Sequence, residues 1–244
     1  MFFAPENCAS APRPMVPWDA AAAGERFAGV LNFYCHEDAY AKTALSPPGA
    51  EFHYSDTGFV LLGLVIEAIT GKPLHQNLQD RIFKPLALDT IYLAYRSDPQ
   101  LGLSRTPEAE LYFGEQACFS SGMDLSFDWG GGGIVSTASS MNFFLQGLLS
   151  GKLFKRAETL QTMLDWQILS GLAAPRTGIG TGIFRTEYPH GELWGHAGAW
   201  GAKMVCDPEA NIFFAGTINQ AMGEPNWHWP FFEILKKTWD EHNE

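Results

Sequence analysis

Pro48-Gly49-Ala50-Glu51-Phe52-His53-Tyr54-Ser55-Asp56-Thr57-Gly58 leads directly into an apolar stretch that ends at Thr70-Gly71-Lys72-Pro73. The Ser46-Pro47-Pro48-Gly49 segment is a firm breaker. After it, Leu61, Leu62, Val65, Ile66 and Ile69 recur at helical spacing, which predicts a buried helix over Thr57–Ile69 with Gly71 as its terminator. A polar Tyr-Ser-Asp triad therefore stands at the mouth of an apolar helix. Pro73 opens a second expected helix that runs through Phe83 and stops at Pro85.

The flanks are less ordered in pattern. Residues 1–26 carry prolines at 5, 12, 14 and 17 and an alanine run at 20–23, which suits an irregular arm. A weak helix is expected over Ala28–Tyr40. Gly102 to Trp129 reads as irregular and aromatic. The run Gly130-Gly131-Gly132-Gly133 leads into Ile134-Val135-Ser136-Thr137, where Ser136 or Thr137 is placed to cap a helix ending near Leu149. A further helix is expected over Lys155–Trp166.

From about Gly178 the periodicity shortens to strand length. Gly182–Tyr188, Glu192–Gly195, Trp200–Cys206 and Ile212–Ile218 are separated by turn-forming residues, which predicts an antiparallel meander. A final helix over Phe231–Asp240 places Phe231, Phe232, Ile234 and Leu235 on its apolar side. The order of helices, hairpins and a covering helix indicates an α+β class, a helical subdomain plus an antiparallel sheet covered by the C-terminal helix. The expected organisation is an arm at 1–45, a helical subdomain at 46–175 and the sheet with its helix at 176–244.

Composition narrows the functions. A hydrophobic content of 46%, with 8 Trp and 18 Phe, is ample for a packed core. The net charge of −11 repels phosphate backbones and anionic lipid, so nucleic acid and membrane surfaces are poor partners. No apolar run reaches the ~20 residues of a spanning helix, and nothing at Met1-Phe2-Phe3-Ala4-Pro5 reads as a signal peptide. A soluble chain is expected, and its compartment is left open. Cys8, Cys35, Cys118 and Cys206 form no Cys-x-x-Cys, so free thiols are expected, with a Cys8–Cys35 pair left open. No metal-ligand spacing occurs, and neither metal nor cofactor is expected.

The second motif is His196-Ala197-Gly198, set in Gly195-His196-Ala197-Gly198-Ala199 before a strand. Flanking glycines allow a substrate close to the backbone, and an edge strand offers N–H groups to an oxyanion. Tyr54 acts as a base only where a neighbouring cation lowers its ordinary pKa of about 10; His196 is the candidate for that neighbour. Taken alone, each residue is more economically read as structural. Enzymes built on a Ser-x-x-Lys nucleophile carry such motifs downstream of it. The residues three before each lysine are Ala39, Ile69, Arg81, Leu149, Lys152, Trp200, Glu233 and Ile234, and none is serine.

These pieces together resemble the C-terminal two-thirds of a serine β-lactamase-like protein with a penicillin-binding-protein-like fold, a superfamily that includes class C β-lactamases, D-alanyl-D-alanine carboxypeptidases, D-aminopeptidases and related esterases. The resemblance runs from Ser46 to the C-terminus and adds Leu62-Gly63, Ile82-Phe83-Lys84-Pro85-Leu86, Gly131 to Ala138 and Asp207-Pro208-Glu209. It implies Tyr54 as the general base, Asp56 where many members carry Asn, and His196 in place of the Lys of Lys-Thr-Gly. Gly198 and Ala199 would border the oxyanion, with the Ala199 N–H as donor. An ionised Asp56 accepts but cannot donate a hydrogen bond, which favours ester over lactam or peptide substrates.

The implied function is acyl transfer on a small ester, amide or D-peptide through an acyl-enzyme, in a chain truncated before its nucleophile and therefore inactive alone. The alternative is a non-catalytic ligand-binding module, which should unfold cooperatively where a fragment would expose a sheet edge. Ser55 reads as a turn residue. Cys35 and Ser46 are the substitute nucleophiles weighed, and neither has a local activating partner.

Overall fold

A computed structural model describes residues 2–3, 45–47, 49–99, 108–123, 125–168, 176–221 and 223–243. The expected arm, the Ala28–Tyr40 helix, Cys8 and Cys35 lie outside the described residues, apart from a short strand β1 at Phe2–Phe3.

Helix α1 spans Asp56–Thr70. Ser55 is its N-cap, with extended backbone and a side-chain oxygen that accepts from the Gly58 N–H at 3.1 Å. Gly71, in the left-handed region at φ 63°, closes it and donates to the Glu67 carbonyl. These boundaries are those expected, but the buried face is not. Gly63, Leu64 and Glu67 point inward, whereas Leu62, Val65, Ile66 and Ile69 are exposed, Ile69 by 79%. The reason is Trp129, which packs with Leu64 and Leu74 and lies so close to Gly63 that a Cβ would stand 3.1 Å from its ring.

Helix α2, Leu74–Leu78, continues as a π turn over Gln79–Phe83 and a 3₁₀ turn over Lys84–Leu86. Pro85 sits in the first turn of that 3₁₀ segment, so it reshapes the helix instead of ending it at Phe83. The α1–α2 corner is held by Glu67, whose buried carboxylate accepts from the Leu74 N–H at 2.7 Å. Strands β2 (Tyr92–Leu93), β3 (Tyr112–Phe113) and β4 (Gln116–Ala117) are short. The glycine run begins as a single helical turn, α3, over Trp129–Gly132, before β5 at Ile134–Ser136. β1 and β2 flank β5 in a small sheet.

Thr137 caps α4 (Ala138–Leu149), accepting from the Ser140 N–H at 3.2 Å. Helix α5 covers only Ala157–Met163, shorter than expected, because the chain turns into a strand at Gln167.

The main sheet has six antiparallel strands in sequence order: β6 Gln167–Ile168, β7 Arg176–Ile179, β8 Phe184–Tyr188, β9 Gly191–Ala197, β10 Ala202–Asp207 and β11 Ile212–Thr217. β6 and β7 extend the meander beyond the four strands the pattern shows. One face packs on α4, with Met141 and Leu145 against Met204 and Cys206. The other packs on α6, Trp229–Asn243, through Phe232 against Tyr188, Leu193 and Val205. Of the four apolar residues expected on the buried side of α6, only Phe232 is fully buried; Phe231, Ile234 and Leu235 are exposed. The fold is α+β, with the antiparallel sheet between helices.

The β10–β11 turn is pinned by Asp207, which is 2% exposed and accepts from the Tyr188 hydroxyl at 2.8 Å and from the Glu209 and Ala210 amides at 2.9 and 2.8 Å. Burial pushes the Tyr188 phenol well above its usual range, and the Asp207 bond adds to the shift. Cys118 and Cys206 are free and buried. Burial pushes the Cys206 thiol up to about 12, so it is no thiolate at neutral pH.

Candidate active site

The segment before α1 brings Tyr54 to the sheet. Phe52 meets Phe184 of β8 edge-on, ring centroids 5.9 Å apart. Phe184 in turn lies 5.0 Å from the His196 ring. Tyr54 leans on Phe59, at 5.9 Å, and faces His196 at 6.2 Å with the rings tilted by 47°. Tyr54 is 46% exposed. The two motifs singled out in sequence thus meet at one cleft between the helical half and the sheet.

His196 opposes Met204 in the β9–β10 register. Its Nδ1 lies 2.8 Å from the Ala197 carbonyl, an arrangement that places the proton on Nδ1 and leaves Nε2 as the acceptor. Gly195 does something other than admit a substrate: a Cβ there would overlap the Met204 carbonyl oxygen, so the glycine lets β9 and β10 close against each other. In the turn that follows, the Gly198 N–H donates to the Ala202 carbonyl at 2.8 Å and Gly201 donates back to Gly198 at 3.1 Å. Gly201 has φ 85° and stands too close to Ile218 and Gln220 to carry a side chain. The Ala199 N–H has no backbone partner among the described residues. Of the two turn residues expected to border an oxyanion, Ala199 is therefore the one whose amide remains available.

Asp56 begins α1 and is exposed, its backbone packed beside Gly131. The sequence reading missed Asp128. Its Oδ2 accepts from Trp200 Nε1 at 3.0 Å, which ties the turn before α3 to the β9–β10 turn. Burial raises the Asp128 pKa against the effect of that bond, and the charge of Asp56 raises it further. The two carboxylates therefore share one field beside the cleft. Asp128 lies next to Trp129 at the start of the glycine run, but no spacing signal marks its partner. Ser55 is occupied as the α1 cap. Among the described residues, no three His, Cys, Asp or Glu side chains are grouped to hold a metal, and no single helix is long and apolar enough to cross a membrane.

An antiparallel sheet between helices is the architecture shared with solved serine β-lactamase and penicillin-binding-protein-like structures. The sequence profile described as Beta-lactamase matches residues 20–228, and the chain belongs to that family. The N-acetylmuramyl-L-alanine amidase of Bacillus subtilis (strain 168) is 26% identical over 203 residues, which are 70% of this chain and 45% of the amidase. The D-amino acid amidase of Ochrobactrum anthropi SV3, solved with D-phenylalanine, superposes with a TM-score of 0.65 at 25% identity, covering 81% of this chain and 65% of that one. A D-stereospecific amidohydrolase from Streptomyces sp. gives a TM-score of 0.58 at 26% identity, covering 74% and 54%. The chain thus spans less than half the length of the Bacillus amidase.

Proposed function

We propose that this chain carries the base and substrate-binding half of an acyl-transfer site for a small ester, amide or D-peptide. The observation that carries this reading is the Tyr54–His196 pair, 6.2 Å apart across the cleft. Tyr54 is the general base, and His196, with Nε2 directed away from its own backbone bond, shares a proton with it. The Ala199 N–H stabilises the oxyanion of the tetrahedral intermediate. Asp56, beside Asp128, accepts from donor groups of the ligand. The D-amino acid amidase of Ochrobactrum anthropi SV3, which resembles this chain, is solved with L-phenylalanine amide and with D-phenylalanine, which supports a small-molecule substrate.

The covalent step requires a serine activated by a lysine, and no Ser-x-x-Lys occurs in these 244 residues. The chain alone therefore forms no acyl-enzyme. Intact mass after incubation with a fluorophosphonate and, separately, with a penicillin tests both parts. No adduct on folded protein is expected. An adduct lost in Tyr54→Phe would overturn the inactivity and keep Tyr54 as base; an adduct that survives Tyr54→Phe would overturn the whole reading.

A further inference from the structure

The strand that presents His196 to the cleft has a second face, and that face borders a pocket. Side chains alternate along β9, so Leu193, Gly195 and Ala197 lie opposite to Trp194 and His196. Register places Thr186 across from Leu193, Val205 across from Gly195, and Lys203 across from Ala197. These residues share the α6 face of the sheet. With Asn226 and His228 they enclose a cavity of about 80 Å³. A single ordered water needs roughly 15 Å³, so there is room for a small polyatomic ion.

Three observations give the pocket a ligand chemistry. His228 is 4% exposed, and its Nδ1 is buried with no hydrogen-bond partner. Such a group is costly to leave unmade and usually marks an unseen ligand or water. The ring is held by Trp227, Phe214 and Phe232, at 6.1, 6.5 and 6.3 Å, so it cannot swing out to solvent without repacking the sheet. Lys203 supplies a positive charge close enough to act on His228, lowering its pKa to about 4 in addition to the larger effect of burial. A cation, an amide side chain and a buried imidazole with an unpartnered ring nitrogen all line the cavity.

We propose that this pocket is a binding site for a small oxyanion, a carboxylate or phosphate group, held by Lys203, the Nδ1–H of His228 and Asn226. Phe184 and His196, which border the Tyr54 cleft, also line this pocket, but its three binding groups take no part in the acyl-transfer reading.

The test is an imidazole ¹⁵N NMR titration of histidine-labelled protein with sodium acetate and with sodium phosphate, at constant ionic strength held by sodium chloride. The His228 resonances are assigned by their loss in His228→Asn, or by their response to Lys203→Gln if that variant does not fold. Saturable shifts of His228 are expected for acetate, phosphate or both; the pair of titrations shows which oxyanion fits. Lys203→Gln should weaken binding about tenfold or more, the effect of losing a charge-assisted hydrogen bond. Asn226→Ala should weaken it less. Shifts that rise linearly with either salt, or saturable binding equally strong in Lys203→Gln and Asn226→Ala, would overturn the proposal.

Discussion

The sheet and helix α1 are both rich in apolar residues but treat them in opposite ways. On the sheet, both faces are covered: Met204 and Cys206 by α4, Leu193 and Val205 by α6. On α1, only one narrow face is covered, and Leu62, Val65, Ile66 and Ile69 form an exposed stripe at positions one helical turn apart. The difference shows where the described fold derives its stability. The sheet is a core between two helices, whereas α1 is held mainly through Trp129, Leu74 and the Glu67 corner. The cleft lies on the seam between them, with Tyr54 delivered by the α1 side and His196 by the sheet.

The largest effect should therefore come from the sheet. Phe232 is fully buried against Tyr188, Leu193 and Val205. Phe232→Ala should lower the unfolding free energy by about 3–5 kcal/mol in urea melts, the usual range for a buried Phe. A loss under about 1 kcal/mol would mean that α6 is not a structural cover, and the contrast with α1 would disappear.

Asp207 comes next. Its carboxylate satisfies three donors at the β10–β11 turn. Removing it strands buried groups, so Asp207→Ala should cost about 3 kcal/mol. In a double-mutant cycle with Tyr188→Phe, the two losses should be clearly less than additive. Additive losses would show that the phenol bond contributes nothing.

A smaller effect follows from pH. His228 is neutral in the folded state because burial, and then Lys203, lower its pKa to about 4, against about 6.5 when unfolded. Between these values the unfolded chain binds a proton that the folded chain refuses. This contribution is fully present above pH 6.5 and is lost as pH falls toward 4, with a slope near 1.4 kcal/mol per pH unit. The slope should be shallower in His228→Gln. An unchanged slope would assign the acid sensitivity to other groups.

How far these features are legible in sequence follows from the range of the interactions. The Gly71 terminator of α1, the Thr137 cap and the hairpin positions were readable because each depends on residues a few positions apart, whereas Ser55, read as a turn residue, proved to be the α1 N-cap. The meeting of the two motifs was readable only through family resemblance, since no local signal links Tyr54 to His196. Three features escaped. Helical periodicity marks an apolar stripe on α1 but does not say which side Trp129 will occupy. β6 starts just after the helix expected over Lys155–Trp166, and its two residues become a strand only by pairing with β7. Asp128 acquires its role from Trp200 of the β9–β10 turn, a contact that no spacing encodes.

The smallest predicted change is the most direct test of the opening contrast. Ile69 is 79% exposed near the C-terminal end of α1. If the stripe meets only water, Ile69→Ser removes no packing, and stability should stay within about 0.5 kcal/mol of the parent. The same substitution should reduce self-association, because four exposed apolar side chains on one helix face make a contiguous patch. Sedimentation velocity and urea melts on Ile69→Ser and on Leu62→Ser separate the two effects. A loss above about 2 kcal/mol at either position would mean that the stripe is covered in solution, and α1 would then join the sheet as a core element with two packed faces.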